Sequence, residues 1–204
     1  MKRTLLFFLI IASSSAVFSQ HGSGTFTILL GGNVGIFNVD AGGNFNQYYT
    51  DRKLAYTGLF GLGNGSTFVI AKYRLYTASG SSKLTNVDAT GTAQWKQRIL
   101  SAGIRLQSDN SAFYIDATYL FNHAEESIAT LNPAVDVLST TQKIDNNGVA
   151  FALGLAPRIA GPIALDFNVE YSVMLRNPVN DAGRQTPNLG GLYYGGGLIF
   201  YFNN

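Results

Sequence analysis

Residues 163–175 read IALDFNVEYSVML. Ile163, Leu165, Phe167, Val169, Tyr171, Val173 and Leu175 take every second position, and Ala164, Asp166, Asn168, Glu170, Ser172 and Met174 fill the gaps. Helical spacing would scatter Asp166, Asn168 and Glu170 around an axis, whereas strand spacing collects them on one face. The stretch is therefore a strand with one apolar and one polar face. The same design recurs in FYIDATYLFN (113–122), where Phe113, Ile115, Ala117, Tyr119 and Phe121 oppose Tyr114, Asp116, Thr118, Leu120 and Asn122. In TFVIAKYRLYT (67–77), Val69, Ala71, Tyr73 and Leu75 oppose Lys72, Arg74 and Tyr76. In GVAFALGLAPR (148–158), Val149, Phe151, Leu153 and Leu155 oppose Ala150, Ala152, Gly154, Ala156 and Arg158.

Eight such segments follow one another, at about 25–39, 53–63, 67–79, 94–107, 112–123, 147–159, 163–175 and 191–202. The first two alternate less cleanly because glycine replaces many side chains. NGS (64–66), SDNS (108–111) and AGP (160–162) make three tight turns, built from the residues that turns require. The other connections are long and polar, and they alternate strictly with the tight turns. All short turns then lie at one end and all long loops at the other. The longest connection, AEESIATLNPAVDVLSTTQKIDNN (124–147), has its own alternation around Val135 to Ile144, which prolongs the flanking strands.

The first residues, MKRTLLFFLIIASSSAVFSQ, have the layout of a secretory signal peptide: Lys2 and Arg3, an apolar run Leu5–Ala12, and a cleavage site after Ser19. The run is too short for a helix that spans a bilayer, which needs about 20 residues. Residues 1–19 are thus expected to be a leader and 20–204 one barrel domain. The full chain has 14 Lys+Arg and 12 Asp+Glu; without Lys2 and Arg3 the balance is 12 against 12. Nothing in that balance supports nucleic-acid binding, which needs a concentrated basic face. With no Cys there are no disulfides or thiolate metal sites. Charged residues make up 13%, about half the usual share.

Two eight-stranded architectures fit. A lipocalin-like barrel turns its apolar face inward, and an outer-membrane barrel turns it out to lipid. The unequal ends favour lipid, with short periplasmic turns and long extracellular loops. So do the aromatics near strand ends: Phe26, Phe60, Phe113, Phe200 and Phe202 at the short-turn end, and Tyr48, Tyr49, Tyr73, Tyr76, Trp95, Tyr119, Tyr171, Tyr193 and Tyr194 toward the loops. A lipocalin also continues into a helix after its last strand, and no such helix is readable here. The expected fold is an all-β, eight-stranded, antiparallel up-and-down transmembrane β-barrel.

A Lys or Arg facing lipid at the bilayer midplane costs about 2–4 kcal/mol. The charged strand face must then point inward, which sets Lys72, Arg74, Arg105 and Arg158 against Asp116, Asp166 and Glu170. Buried charges are paired or hydrated, so a salt-bridge network is predicted inside the tube. A barrel of eight strands is only just wide enough for its own side chains, which ranks a structural role for these residues above transport.

The chain resembles the small eight-stranded outer-membrane proteins of the OmpA/OmpX-like superfamily. The most specific likeness is the terminal GLIFYF, where Gly197, Phe200 and Phe202 match the family's Gly-x-x-aromatic-x-aromatic pattern. In the family that pattern is read by the barrel-assembly machinery on the last strand; here Asn203 and Asn204 follow it. The resemblance implies insertion into the cell outer membrane among lipid and lipopolysaccharide, after escort by periplasmic chaperones.

Some barrels of this architecture modify lipid A. Of the two histidines, His21 lies beside the expected mature N-terminus, and His123 ends the fifth segment beside Glu125 and Glu126, with the parity of the lipid-facing set. A nucleophilic site needs a serine within reach, and no spacing selects one. GLGNGS (61–66) lacks the Lys and the helix of a phosphate loop, so it reads as a hairpin turn. Asp51, Asp88, Asp136 and Asp145 show no calcium-loop spacing. No cofactor, metal site or catalytic residue is expected. A structural or surface-interaction barrel comes first, then a narrow porin-like channel for small solutes, then a lipid A-modifying enzyme.

Overall fold

The computed structural model describes residues 26–40, 49, 51–83, 90–108, 112–132, 135–175 and 189–203. The expected leader, His21, Tyr48, Asp88 and Asn204 lie outside the described residues. Among those described there are nine antiparallel strands and no helix. They are β1 (Phe26–Val39), β2 (Asp51–Asn64), β3 (Thr67–Lys83), β4 (Thr90–Gln107), β5 (Phe113–Asn132), β6 (Val135–Leu155), the three-residue β7 (Arg158–Ala160), β8 (Ile163–Met174) and β9 (Gly191–Asn203).

Each strand from β1 to β6, and from β7 to β9, pairs with its sequence neighbour; β9 pairs with β1, and β6 pairs with β8 and not with the short β7. Eight strands thus close into a ring. Closure removes the sheet edges that would leave backbone groups without partners. Two of the tight turns carry a glycine at positive φ, Gly65 at 58° and Gly161 at 47°, a conformation that costs other residues their Cβ clearance.

The strand alternation sorts side chains to the two walls. Outside, Leu100, Phe151, Leu153, Phe167, Val169 and Leu198 are all exposed. A contiguous apolar wall of this extent is matched to hydrocarbon and not to water. Inside lie Lys72, Arg74, Arg105, Asp116, Asp166 and Glu170, all buried.

Beside the polar interior expected, the bore contains two apolar layers. At the loop end, Phe37, Tyr76, Trp95, Ile99, Leu120, Met174 and Tyr193 belong to one buried cluster. At the short-turn end, Leu29, Leu59, Phe68, Ile70, Ile199 and Tyr201 belong to another. Tyr49, Tyr76, Trp95 and Tyr193 are therefore bore-filling residues and not members of an outer aromatic girdle. The outer aromatics toward the loops are Tyr56, Tyr73, Tyr119, Tyr171 and Tyr194. The physical reason is space: a ring this narrow is filled by side chains, and rings packed on one another displace water.

The strands differ in length. β3 to β6 run for 17, 18, 20 and 21 residues, against 14, 14, 12 and 13 for β1, β2, β8 and β9. The β5–β6 ladder continues from Phe113↔Leu155 to Asn132↔Val135, so most of the long connection at 124–147 is strand. The barrel thus carries a four-stranded sheet beyond its loop-end rim.

Candidate functional site

The predicted interior charges converge across the bore. β3 and β8 stand opposite one another in the ring of eight. Lys72 Nζ on β3 reaches Glu170 on β8 at 2.9 Å, and Arg74 Nη1 reaches the other oxygen of Glu170 at 2.8 Å. These two contacts span the barrel diameter. Lys72 also reaches Asp116 on β5 at 2.7 Å. Asp116 in turn accepts two hydrogen bonds from Arg105 on β4, from Nε at 2.7 Å and from Nη2 at 3.0 Å.

Polar aromatic residues close the chain into a ring. The Arg105 guanidinium lies 3.6 Å from the centroid of the Tyr114 ring. Tyr114 donates to Asp166 at 2.5 Å, and Asn33 donates to the other Asp166 oxygen at 2.7 Å. Tyr193 donates to Asn33 at 3.0 Å, and the Arg74 guanidinium sits 3.9 Å from the Tyr193 ring centroid. The circuit runs Arg74, Glu170, Lys72, Asp116, Arg105, Tyr114, Asp166, Asn33, Tyr193 and back to Arg74. It balances three cations against three carboxylates. A buried cation over an aromatic face contributes about 2 kcal/mol when desolvated. Thr57 on β2 joins the circuit by accepting from Arg74 Nε at 3.1 Å.

Small residues make room for the rings. A Cβ added at Gly154 on β6 would lie 2.1 Å from Cζ of Tyr114. One added at Gly195 on β9 would lie 2.2 Å from the Tyr193 hydroxyl. The alternation on β5 already sets Tyr114 on the polar face. Asn33 is harder to read in the sequence, because the glycines of β1 blur its period.

Arg158 does not join the circuit. It lies on β7 at the short-turn end, exposed, with its guanidinium 4.9 Å from the Tyr201 ring centroid. Position 158 lies past the end of the β6 ladder, where an inward parity no longer leads to the bore. The three terminal residues singled out lie on β9 at the closing seam with β1. A Cβ at Gly197 would lie 2.0 Å from the carbonyl oxygen of Gly32, so the seam requires glycine there. Phe200 and Phe202 stack on the outer wall with ring centroids 6.5 Å apart.

His123 forms a second polar cluster, on the outer wall. Its Nδ1 lies 2.5 Å from Asp145 and its Nε2 lies 3.3 Å from Glu125. Asp145 is thus a β6 strand residue directly opposite His123 and not a loop residue. Two carboxylates favour the charged imidazolium, and its pKa is raised by the Asp145 bond first and the Glu125 bond second. Glu125 is drawn below the usual carboxylate range, chiefly by His123. Arg98 and Lys143 each approach Glu125 at 3.8 Å. Among the described residues, no group of three or more His, Cys, Asp or Glu is arranged to hold a metal ion.

A closed ring of eight antiparallel strands with an apolar outer wall and an ionic interior defines a small β-barrel of the outer-membrane type. No family model matches the chain, and no curated protein matches it by sequence. Solved structures do share its fold. Ail, the attachment invasion locus protein of Yersinia pestis, solved with the heparin analogue sucrose octasulfate, is 12% identical with a TM-score of 0.53, covering 88% of this chain and 99% of Ail. The outer membrane protein OprG from Pseudomonas aeruginosa is 15% identical with a TM-score of 0.50, covering 90% of this chain and 98% of OprG. The likeness is one of fold, the eight-stranded antiparallel barrel that the strand pattern implied.

Proposed function

We propose that this chain spans the outer membrane as a non-conducting barrel, which anchors a projecting β-sheet at the cell surface. The observation that carries the reading is the pair of bridges from Lys72 and Arg74 to Glu170, which cross the bore. Apolar layers lie on both sides of them, and in this reading they leave a solute no hydrated route. The salt-bridge circuit closes the interior and specifies the packing of the wall. A narrow channel would need those charges to part.

The projecting part of β3 to β6 is the feature that suits contact with an external surface. Ail, which shares the fold, is named for attachment. Lipid and lipopolysaccharide surround the apolar wall in this reading. Gly197, Phe200 and Phe202 are presented to the assembly machinery on the last strand, after chaperone escort and leader removal. A non-enzymatic role is the reading adopted, and His123 supports it: both its ring nitrogens face carboxylates, whereas a general base needs one nitrogen free to take a proton.

Planar-bilayer recording of the refolded protein tests the reading. Silence is expected. Steady conductance that changes in Arg74→Gln or Glu170→Gln would replace it with the channel.

A further inference from the structure

The outer-wall cluster around His123 sits directly above an apolar patch, and strand register sets both in rows. Tyr73, Leu100, Phe121 and Asn147 are successive register partners across β3, β4, β5 and β6. Two residues further toward the loops, Arg98, His123 and Asp145 form the next row, and Glu125 and Lys143 pair above it. Consecutive same-face rows along a strand are about 7 Å apart. A groove of about 440 Å³ runs over the first two rows, lined by Tyr73, Arg98, Leu100, Phe121, His123 and Asp145 among others, with Glu125 and Lys143 in the row above it.

The depth of the groove can be read from β5. Outward apolar residues run from Phe113 at the short-turn end to Phe121, then give way to His123. A membrane-crossing strand takes about 9–11 residues, so the span ends between Phe121 and His123. The apolar row then meets the outer part of the acyl chains, and the ionic rows lie at headgroup level.

The two ionic rows hold four cations, Lys96, Arg98, His123 and Lys143, against two carboxylates, Glu125 and Asp145. His123 is committed to both carboxylates. Arg98 and Lys143 lie 3.8 Å from Glu125, beyond hydrogen-bond length, with side chains 40% and 65% exposed. Both side chains are open to solvent. The apolar row lies beneath them, so a molecule that joins an anion to a hydrocarbon chain uses both. A soluble polyanion would leave Leu100 and Phe121 unused.

We propose that this groove holds one phosphorylated lipid of the outer leaflet, its phosphate between Arg98 and Lys143 and an acyl chain against Leu100, Phe121 and Tyr73. Phosphate matches the guanidinium fork and tolerates the lysine as a point charge. The assignment rests on the membrane placement above but not on the closed bore.

Native mass spectrometry of the refolded protein in detergent tests it, with bisphosphorylated lipid A, dephosphorylated lipid A and inorganic phosphate as the added species. Wild type is expected to retain one bisphosphorylated lipid A and to release it about tenfold more readily as the Arg98→Gln/Lys143→Gln variant. Glu125→Gln is expected to hold the lipid severalfold more tightly, because it removes the carboxylate that competes for both cations. Heat-modifiable gel migration shows whether each variant is folded, and Glu125→Gln carries the test alone if the double variant is not. Equal retention of dephosphorylated lipid A would overturn the proposal. So would displacement of the lipid by an equal concentration of inorganic phosphate, or weaker retention by Glu125→Gln.

Discussion

Arg105 and Asp116 are register partners on β4 and β5, and the arginine binds both carboxylate oxygens while its guanidinium covers the Tyr114 ring. Asp116 also holds Lys72 at 2.7 Å. One carboxylate therefore contacts two cations at the centre of the bore. Asp116→Ala removes the carboxylate partner of Arg105 and leaves Lys72 only Glu170, and breaking a buried pair on one side costs about 3–5 kcal/mol. Urea unfolding of the barrel in vesicles, followed by gel migration, is expected to show a loss of that size. A smaller loss is expected for Arg105→Met combined with Asp116→Met, which leaves no uncompensated charge from that pair.

Gly154 is expected to tolerate no side chain while Tyr114 stays in place. Tyr114 is fully buried and tied to Asp166 at 2.5 Å, so its ring does not swing away freely. Overpacked sites lose about 1–3 kcal/mol, and Gly154→Ala should fall in that range. Added to Tyr114→Ala, the same change should cost little. Additive losses in that double-variant cycle would count against the contact.

Trp95 is the protein's single tryptophan and serves as a built-in reporter of wall identity. It is buried in the bore, with its ring 5.9 Å from that of Tyr49 and its Nε1 donating to Gln97 at 3.3 Å. Lipids brominated on the acyl chain are expected to quench it weakly. A tryptophan moved to the outer wall, as Tyr73→Trp on a Trp95→Phe background, should be quenched strongly. Strong quenching of Trp95 itself would return it to the lipid-facing girdle.

The His123 imidazolium gains Asp145 and Glu125 on folding, which raises its pKa above 6.5. The stabilisation is fully present below 6.5 and is lost as pH climbs through the raised value. Glu125 behaves in the opposite sense: its contribution is present above 4.5 and is lost as pH falls through its lowered value. NMR titration of the His123 ring is expected to give a midpoint above 6.5, moving down in Asp145→Asn. An unchanged midpoint in that variant would remove Asp145 as the cause.

Shortening the projecting sheet should separate anchoring from surface contact. Ser127 and Thr141 are register partners, so replacing residues 128–140 by an Asn-Gly turn keeps the lower ladder in register. The shortened protein is expected to keep heat-modifiable migration and to lose adhesion in a cell-adhesion assay. Unchanged adhesion would place the contact elsewhere.

The amino-acid sequence by itself determined which residues face which wall. Strand period is two, so the parity of Asp116, Asp166 and Glu170 follows from their own neighbours, as does that of Tyr114 and Tyr76. It also determined the order of short and long connections, hence the unequal ends. Parity is local, and it is silent about which strands stand opposite one another. Only ring closure decided that Lys72 and Arg74 on β3 meet Glu170 on β8, that Tyr193 turns between Asn33 and Arg74, and that Arg158 lies past the ladder's end. Only the narrowness of the closed ring decided that Trp95 and Tyr49 fill the bore. Register between separate strands likewise set His123 opposite Asp145, far apart in sequence and directly paired in the sheet.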